Sequence, residues 1–130
     1  MSIALAALLL ATSASAYEGE WLTEDRKGIV TIARCGAALC GRLTRILVPA
    51  PVTTDVNNPD PKLRTRPLRG LPLITGFVWK DGSWQGGRIY DPESGRTYKS
   101  KLALNANGTL KVSGCIAFIC QSQRWSRRAQ

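Results

Sequence analysis

Two cysteine pairs carry the most specific chemistry in this sequence. Cys35-Gly-Ala-Ala-Leu-Cys40 and Cys115-Ile-Ala-Phe-Ile-Cys120 share one C-x4-C spacing. A four-Cys zinc site normally uses shorter C-x2-C knuckles, and a redox-active pair prefers C-x-x-C at a helix N-terminus, so the default reading is two disulfides. Four cysteines permit three connectivities. Strand-like sequence flanks each pair, Gly28–Arg34 with Arg42–Leu47 and Thr109–Gly114 with Gln121–Arg127. In a hairpin with a four-residue tip, the residues next to the tip face each other at a distance a disulfide can bridge. The expected bridges are therefore Cys35–Cys40 and Cys115–Cys120. Closing so small a loop removes little entropy from the unfolded chain, so each bridge contributes no more than about 2 kcal/mol and mainly locks a hairpin tip.

Catalytic chemistry has little to build on. Histidine is absent, which removes the Ser-His-Asp and Cys-His nucleophile systems and every His-ligated metal site. The nine acids are scattered, and Asp81 and Asp91 sit in ordinary turn contexts. Asp55 and Asp60 lie close together with Asn57 and Asn58 between them. They have the donors for a cation or a sugar, but capping and Asx-turn roles account for them more simply. Neither a catalytic residue nor a metal or other cofactor is expected.

Binding chemistry is better supplied. Four tryptophans, at 21, 79, 84 and 125, and three tyrosines are present. Trp21, Trp84, Tyr90, Tyr98 and Trp125 are the candidates for inward positions, where they either fill a core or line a pocket for a small apolar or anionic amphipathic ligand. Eighteen Lys and Arg against nine Asp and Glu leave a net charge of +9. Lys62, Arg64, Arg66 and Arg69 form one basic group, of which Arg64 and Arg66 are candidate ligand contacts, and Arg124, Arg127 and Arg128 form another. Such charge attracts anionic lipids and polymers whatever the fold.

These side chains are positioned by short segments rich in Ile, Val, Thr, Trp and Tyr, separated by turn signals about every ten residues, which is the all-β pattern. The spacing predicts eight strands: Glu18–Thr23, Gly28–Arg34, Gly41–Leu47, Leu73–Lys80, Ser83–Tyr90, Thr97–Leu104, Thr109–Gly114 and Gln121–Arg127. Alternation is clearest near the end, where Tyr98, Ser100, Leu102 and Leu104 face one way and Thr97, Lys99 and Lys101 the other. Eight antiparallel strands in chain order most economically close into an up-and-down barrel, with an open sandwich as the runner-up. The exception is the stretch Val48–Leu68, which holds five of the seven prolines. It reads as a lid or plug over one barrel end, or a passive strap, with one helical turn at Asp60-Pro61-Lys62-Leu63-Arg64 capped by Asp60.

The residues quoted so far resemble a bacterial secreted family known as domain of unknown function 2147. The resemblance rests on Gly19-Glu20-Trp21, on Cys35 to Gly41, on Asp55-Val56-Asn57-Asn58-Pro59-Asp60 and on Leu68-Arg69-Gly70. It continues through Trp84-Gln85-Gly86-Gly87-Arg88-Ile89-Tyr90-Asp91-Pro92 with Gly95 and Tyr98, and Gly114-Cys115 to Cys120 with Gln123 and Trp125. It implies a lipocalin-like barrel in the periplasm or outside the cell and no established activity, so it supplies no catalytic residues. The second cysteine loop lacks the glycine expected there.

Ahead of this domain, Ile3–Ala11 is apolar and is followed by Ala14-Ser15-Ala16, the small-residue pattern of a signal peptide cleavage site. The run is too short to span a bilayer, which needs about 20 apolar residues. Residues 1–16 are thus expected to be a signal peptide and residues 17–130 a single barrel domain, periplasmic or secreted. Nucleic acid is not an expected partner, because the aromatic-basic modules of its readers are missing. The expected function is binding of a small apolar or anionic amphipathic ligand. The alternative is an envelope structural or interaction protein that uses its basic surface on anionic lipids or wall polymers.

Overall fold

The computed structural model describes residues 13–128. Among the described residues nine strands follow one another: β1 Gly19–Leu22, β2 Gly28–Cys35, β3 Ala38–Ile46, β4 Pro72–Lys80, β5 Ser83–Gln85, β6 Gly87–Asp91, β7 Arg96–Leu104, β8 Leu110–Ile116 and β9 Ile119–Arg127. Every ladder is antiparallel, and the sheet closes on itself because β3 also pairs with β4. β5 and β6 act as one stave interrupted at Gly86, so the molecule is the closed eight-stranded up-and-down barrel that the strand spacing predicts. The expected fifth segment, Ser83–Tyr90, is where the two parts differ. Gly86 takes a left-handed conformation (φ 74°), which glycine adopts without steric cost and which breaks the ladder there.

Alternation fills the interior. Trp21, Val30, Ile32, Leu39, Ile74, Phe77, Leu110, Val112 and Trp125 are all essentially inaccessible to water. Two tryptophans and a phenylalanine in one small core each hide on the order of 150–250 Å². One end is closed by a short 3₁₀ turn, Ala14–Tyr17, whose Tyr17 ring is buried. Tyr17 meets Trp79 edge-on, and Trp79 meets Trp84 in the same way. The indole N–H of Trp21 donates to Tyr17 O at 2.9 Å and that of Trp84 to Ala14 O at 3.0 Å. Of the expected signal peptide, residues 1–12 lie outside the described residues.

Both expected disulfides are present, Cys35–Cys40 and Cys115–Cys120. Their hairpin tips are tighter than the four residues inferred from spacing. Pairing runs to Cys35 opposite Ala38 and to Ile116 opposite Ile119, leaving two-residue turns, Gly36-Ala37 and Ala117-Phe118. Cys115 and Cys120 therefore stand directly opposite each other. Cys40 stands opposite Ala33, so the first bridge crosses the ladder diagonally.

Candidate functional site

The long connection between β3 and β4 is held by a buried polar cluster. Asp60 caps the turn Pro61–Leu63 by accepting the Lys62 N–H at 3.0 Å, as its place in the sequence predicts. Asp55 is fully buried. Its carboxylate accepts the Tyr90 hydroxyl at 2.6 Å, the Asn58 amide at 2.8 Å and Arg66 Nε at 3.0 Å. Burial alone would push the Asp55 carboxyl up, but the hydrogen bonds from Tyr90, Asn58 and Arg66 outweigh it and hold the group below its ordinary value. Burial, together with the bond to Asp55, pushes the Tyr90 phenol up to about 12. Arg64 Nε donates to Asn58 O at 2.7 Å, and Asn57 Nδ2 donates to Pro92 O and Glu93 O in the turn between β6 and β7. Each buried group here already has its partner. The cluster is a clamp that straps the connection to the barrel, with the Asp55 charge matched by Arg66, while the exposed Arg64 joins no ion pair among the described residues.

A different part of the wall is open. β5 pairs only with β4, and the Lys101–Leu104 half of β7 has ladder partners only in β8. Between them, next to the break at Gly86, lies a cleft of about 800 Å³ lined from Ser83 to Arg88, from Lys99 to Ala103, and by parts of the β8–β9 hairpin. Gly87 belongs here because a side chain at that position would collide with the Phe77 ring. Four bases line the cleft, Arg88, Lys99, Lys101 and Lys111, and no acid does. None of the four joins an ion pair among the described residues. Arg88 stands directly across the ladder from Lys99, so the two share a face. Like charges so opposed destabilise a sheet unless something negative lies between them. The apolar wall comes from Trp84, Leu102, Ala103, Ala117 and Phe118. A second, smaller hollow of about 640 Å³ beside β9 contains Glu24, whose carboxylate accepts the Arg124 backbone N–H at 2.6 Å, so its charge is mixed.

The seven side chains expected to bind ligand are thus distributed over three places. Trp84 lines the cleft while itself packed in the core and only 2% exposed. Tyr90, Arg64 and Arg66 meet around Asp55 and Asn58, with the Arg66 guanidinium also over the Tyr90 ring at 5.9 Å. Trp21 and Trp125 lie in the packed core, Tyr98 is half-buried on the inner face of β7, and Arg127 stacks on Trp21 at 4.2 Å. Of the cleft bases, Lys99 and Lys101 were legible in sequence only as the outward face of the alternating segment that became β7, and nothing there joined them to Arg88 on β6 or Lys111 on β8. Their convergence depends on register and on the break at Gly86.

A closed antiparallel barrel of eight staves with a packed interior is a lipocalin-like fold. The chain belongs to the DUF2147 family, uncharacterized proteins conserved in bacteria, whose profile matches residues 19–127. No curated protein matches it. Among solved structures it is similar to HP1028 from the human pathogen Helicobacter pylori, described as belonging to the lipocalin family. The two share 23% sequence identity with a TM-score of 0.77, over 87% of this chain and 83% of that one. That likeness establishes the fold. Two disulfides in a bacterial family are compatible with a location outside the cytoplasm. Among the described residues no helix is long and apolar enough to cross a membrane.

Proposed function

We propose that this protein binds a small anionic amphipathic molecule in the cleft between β5 and β7. The acidic group of the ligand sits between Arg88, Lys99 and Lys101, and its apolar part lies along Leu102, Trp84 and Phe118. The observation that carries the reading is the opposed pair Arg88 and Lys99 in a cleft with four bases and no acid. A bound anion relieves their repulsion, and the apolar wall favours an amphiphile over an inorganic ion. The volume falls within the range of roughly 300–1,000 Å³ typical of small-molecule sites. Of the side chains expected from sequence, Trp84 serves the ligand, while Trp21, Tyr98 and Trp125 serve packing and Tyr90, Arg64 and Arg66 hold the strap.

Export is part of this reading, with residues 1–16 removed and the barrel periplasmic or secreted. Cleavage after Ala16 takes away the Ala14 carbonyl that accepts the Trp84 indole N–H. A second reading, adhesion to anionic lipid or wall polymer, draws on the net charge of +9.

Calorimetric titration with lauric acid and lauryl alcohol tests the proposal. The acid binds, and the alcohol binds at least ~10-fold more weakly, since a charge-assisted contact is worth about 1.5–3 kcal/mol. The double variant Lys99→Glu, Lys101→Glu loses at least ~10-fold in affinity for the acid and keeps its unfolding midpoint. Equal affinity for acid and alcohol, or an unaffected double variant, contradicts it.

A further inference from the structure

We infer that the tip of the β8–β9 hairpin is a membrane finger, which inserts its apolar side chains into an anionic bilayer surface. Ile116, Phe118 and Ile119 are 61%, 93% and 69% exposed at that tip. Water-facing apolar groups of this size, side by side, mark an interaction site more often than a packing defect.

Three observations make this a finger. The hairpin projects: the last rung joining it to β7 is Cys115 opposite Lys99, and β1 reaches β9 only at Ser126 and Arg127. Residues 119–123 consequently have ladder partners in β8 alone. The Cys115–Cys120 bridge closes the ribbon just behind the tip, so the apolar side chains are presented on a stiff support. The other disulfide hairpin provides an internal comparison. With the same C-x4-C spacing it carries only small residues at its tip, Gly36 and Ala37 in the turn and Ala38 just after it, where the β8–β9 hairpin has Ala117, Phe118 and the exposed Ile119. A bridged tip of this fold does not need large exposed hydrophobics, so those on β8–β9 need another reason.

The charge around the tip selects an anionic lipid surface. From Cys115 to Gln121 the hairpin bears no charge. Behind it stand Lys99, across the ladder from Cys115, and Arg88, across from Lys99. An uncharged apolar wedge backed by a basic collar matches the layering of an anionic bilayer, with acyl chains beneath phosphates. This inference shares Phe118, Arg88 and Lys99 with the cleft, but Ile116 and Ile119, which do not line it, set it apart from the small-ligand reading. It differs from simple electrostatic adhesion because it requires the apolar side chains.

Flotation with vesicles tests it, using phosphatidylglycerol mixed with phosphatidylethanolamine, and phosphatidylcholine alone as the uncharged comparison. The protein floats with the anionic vesicles and at least ~10-fold less with phosphatidylcholine. Ile116→Ser with Ile119→Ser, both at exposed positions that leave the fold intact by circular dichroism, lowers binding to the anionic vesicles at least ~10-fold. The same variant keeps its affinity for lauric acid, which separates this test from that of the cleft. Phe118→Trp adds an emission component that shifts to shorter wavelength on vesicle binding and is quenched by brominated acyl chains. Unchanged flotation of the serine variant overturns the inference, as does an emission component of the Phe118→Trp variant that fails to shift. Dimerisation that depends on the tip, without vesicle binding, overturns it in favour of a second copy of the chain as the occupant.

Discussion

A carboxylate taken out of water costs several kcal/mol unless its oxygens are matched, and Asp55 is matched by Tyr90, Asn58 and Arg66 together. The clamp therefore ties the strap, through Tyr90, to the β6 stave of the barrel. Asp55→Asn keeps the size of the side chain but removes the charge that balances Arg66 and turns one acceptor into a donor, for which the Tyr90 hydroxyl is the one available acceptor in the cluster. The expected loss is roughly 2–3 kcal/mol at neutral pH, read as a lower urea midpoint. Acid has a related effect with a definite sign. The Asp55 value in the folded protein lies below the ordinary 3.8, so its contribution is complete above that pH and is lost as the pH falls through the lower folded value. Tyr90 behaves in the opposite sense. Its value is raised from 10.0 to about 12, so its contribution is complete below 10.0 and disappears as the pH rises toward 12. Stability profiles of Asp55→Asn and Tyr90→Phe accordingly lose the acid limb and the alkaline limb respectively. Neither residue's role was legible beforehand in full. Asp55 and Asp60 were legible as turn and capping acids, and Asp60 is one, but no spacing rule links Asp55 to a tyrosine thirty-five residues away.

At the scale of elements, the hairpin turns explain both what the sequence disclosed and what it concealed. Period-two alternation and turn residues located every stave within a few residues, because in a half-buried antiparallel sheet the two faces demand different side chains. The same rules could not divide Ser83–Tyr90 into β5 and β6. Gly86-Gly87 is the visible signal, but a glycine pair is equally consistent with a bulge and with close packing, and here it is both. In the second disulfide hairpin Ala117 occupies the left-handed region at φ 52°, where Gly36 in the first has φ 70°. A residue with a Cβ is strained there by roughly 1–2 kcal/mol. Ala117→Gly relieves that strain, partly offset by the greater freedom of glycine in the unfolded chain. The expected net gain is about 0.5–1 kcal/mol, measured as a higher thermal midpoint. No gain would mean that the turn relaxes around alanine without cost.

At the scale of the whole molecule, a small barrel must choose between filling its interior and keeping room for a ligand, and eight staves sit near that boundary. Here the interior is filled by Trp21, Phe77, Trp125 and the aliphatic side chains around them. Aromatic content could not decide this from sequence, because the same side chains make a core or a pocket wall according to how closely the opposite staves approach. The room lies instead in the wall, where β5 leaves β7, and it is charged by bases whose proximity only the register reveals. Whether this gap is the ligand site is read most directly by amide chemical-shift mapping of the labelled protein during titration with lauric acid. Saturable shifts are expected at Arg88, Lys99, Lys101 and Leu102, with the strap around Asp55 and the core strand β2 unmoved. Shifts centred on the strap, or none that saturate, would contradict that assignment.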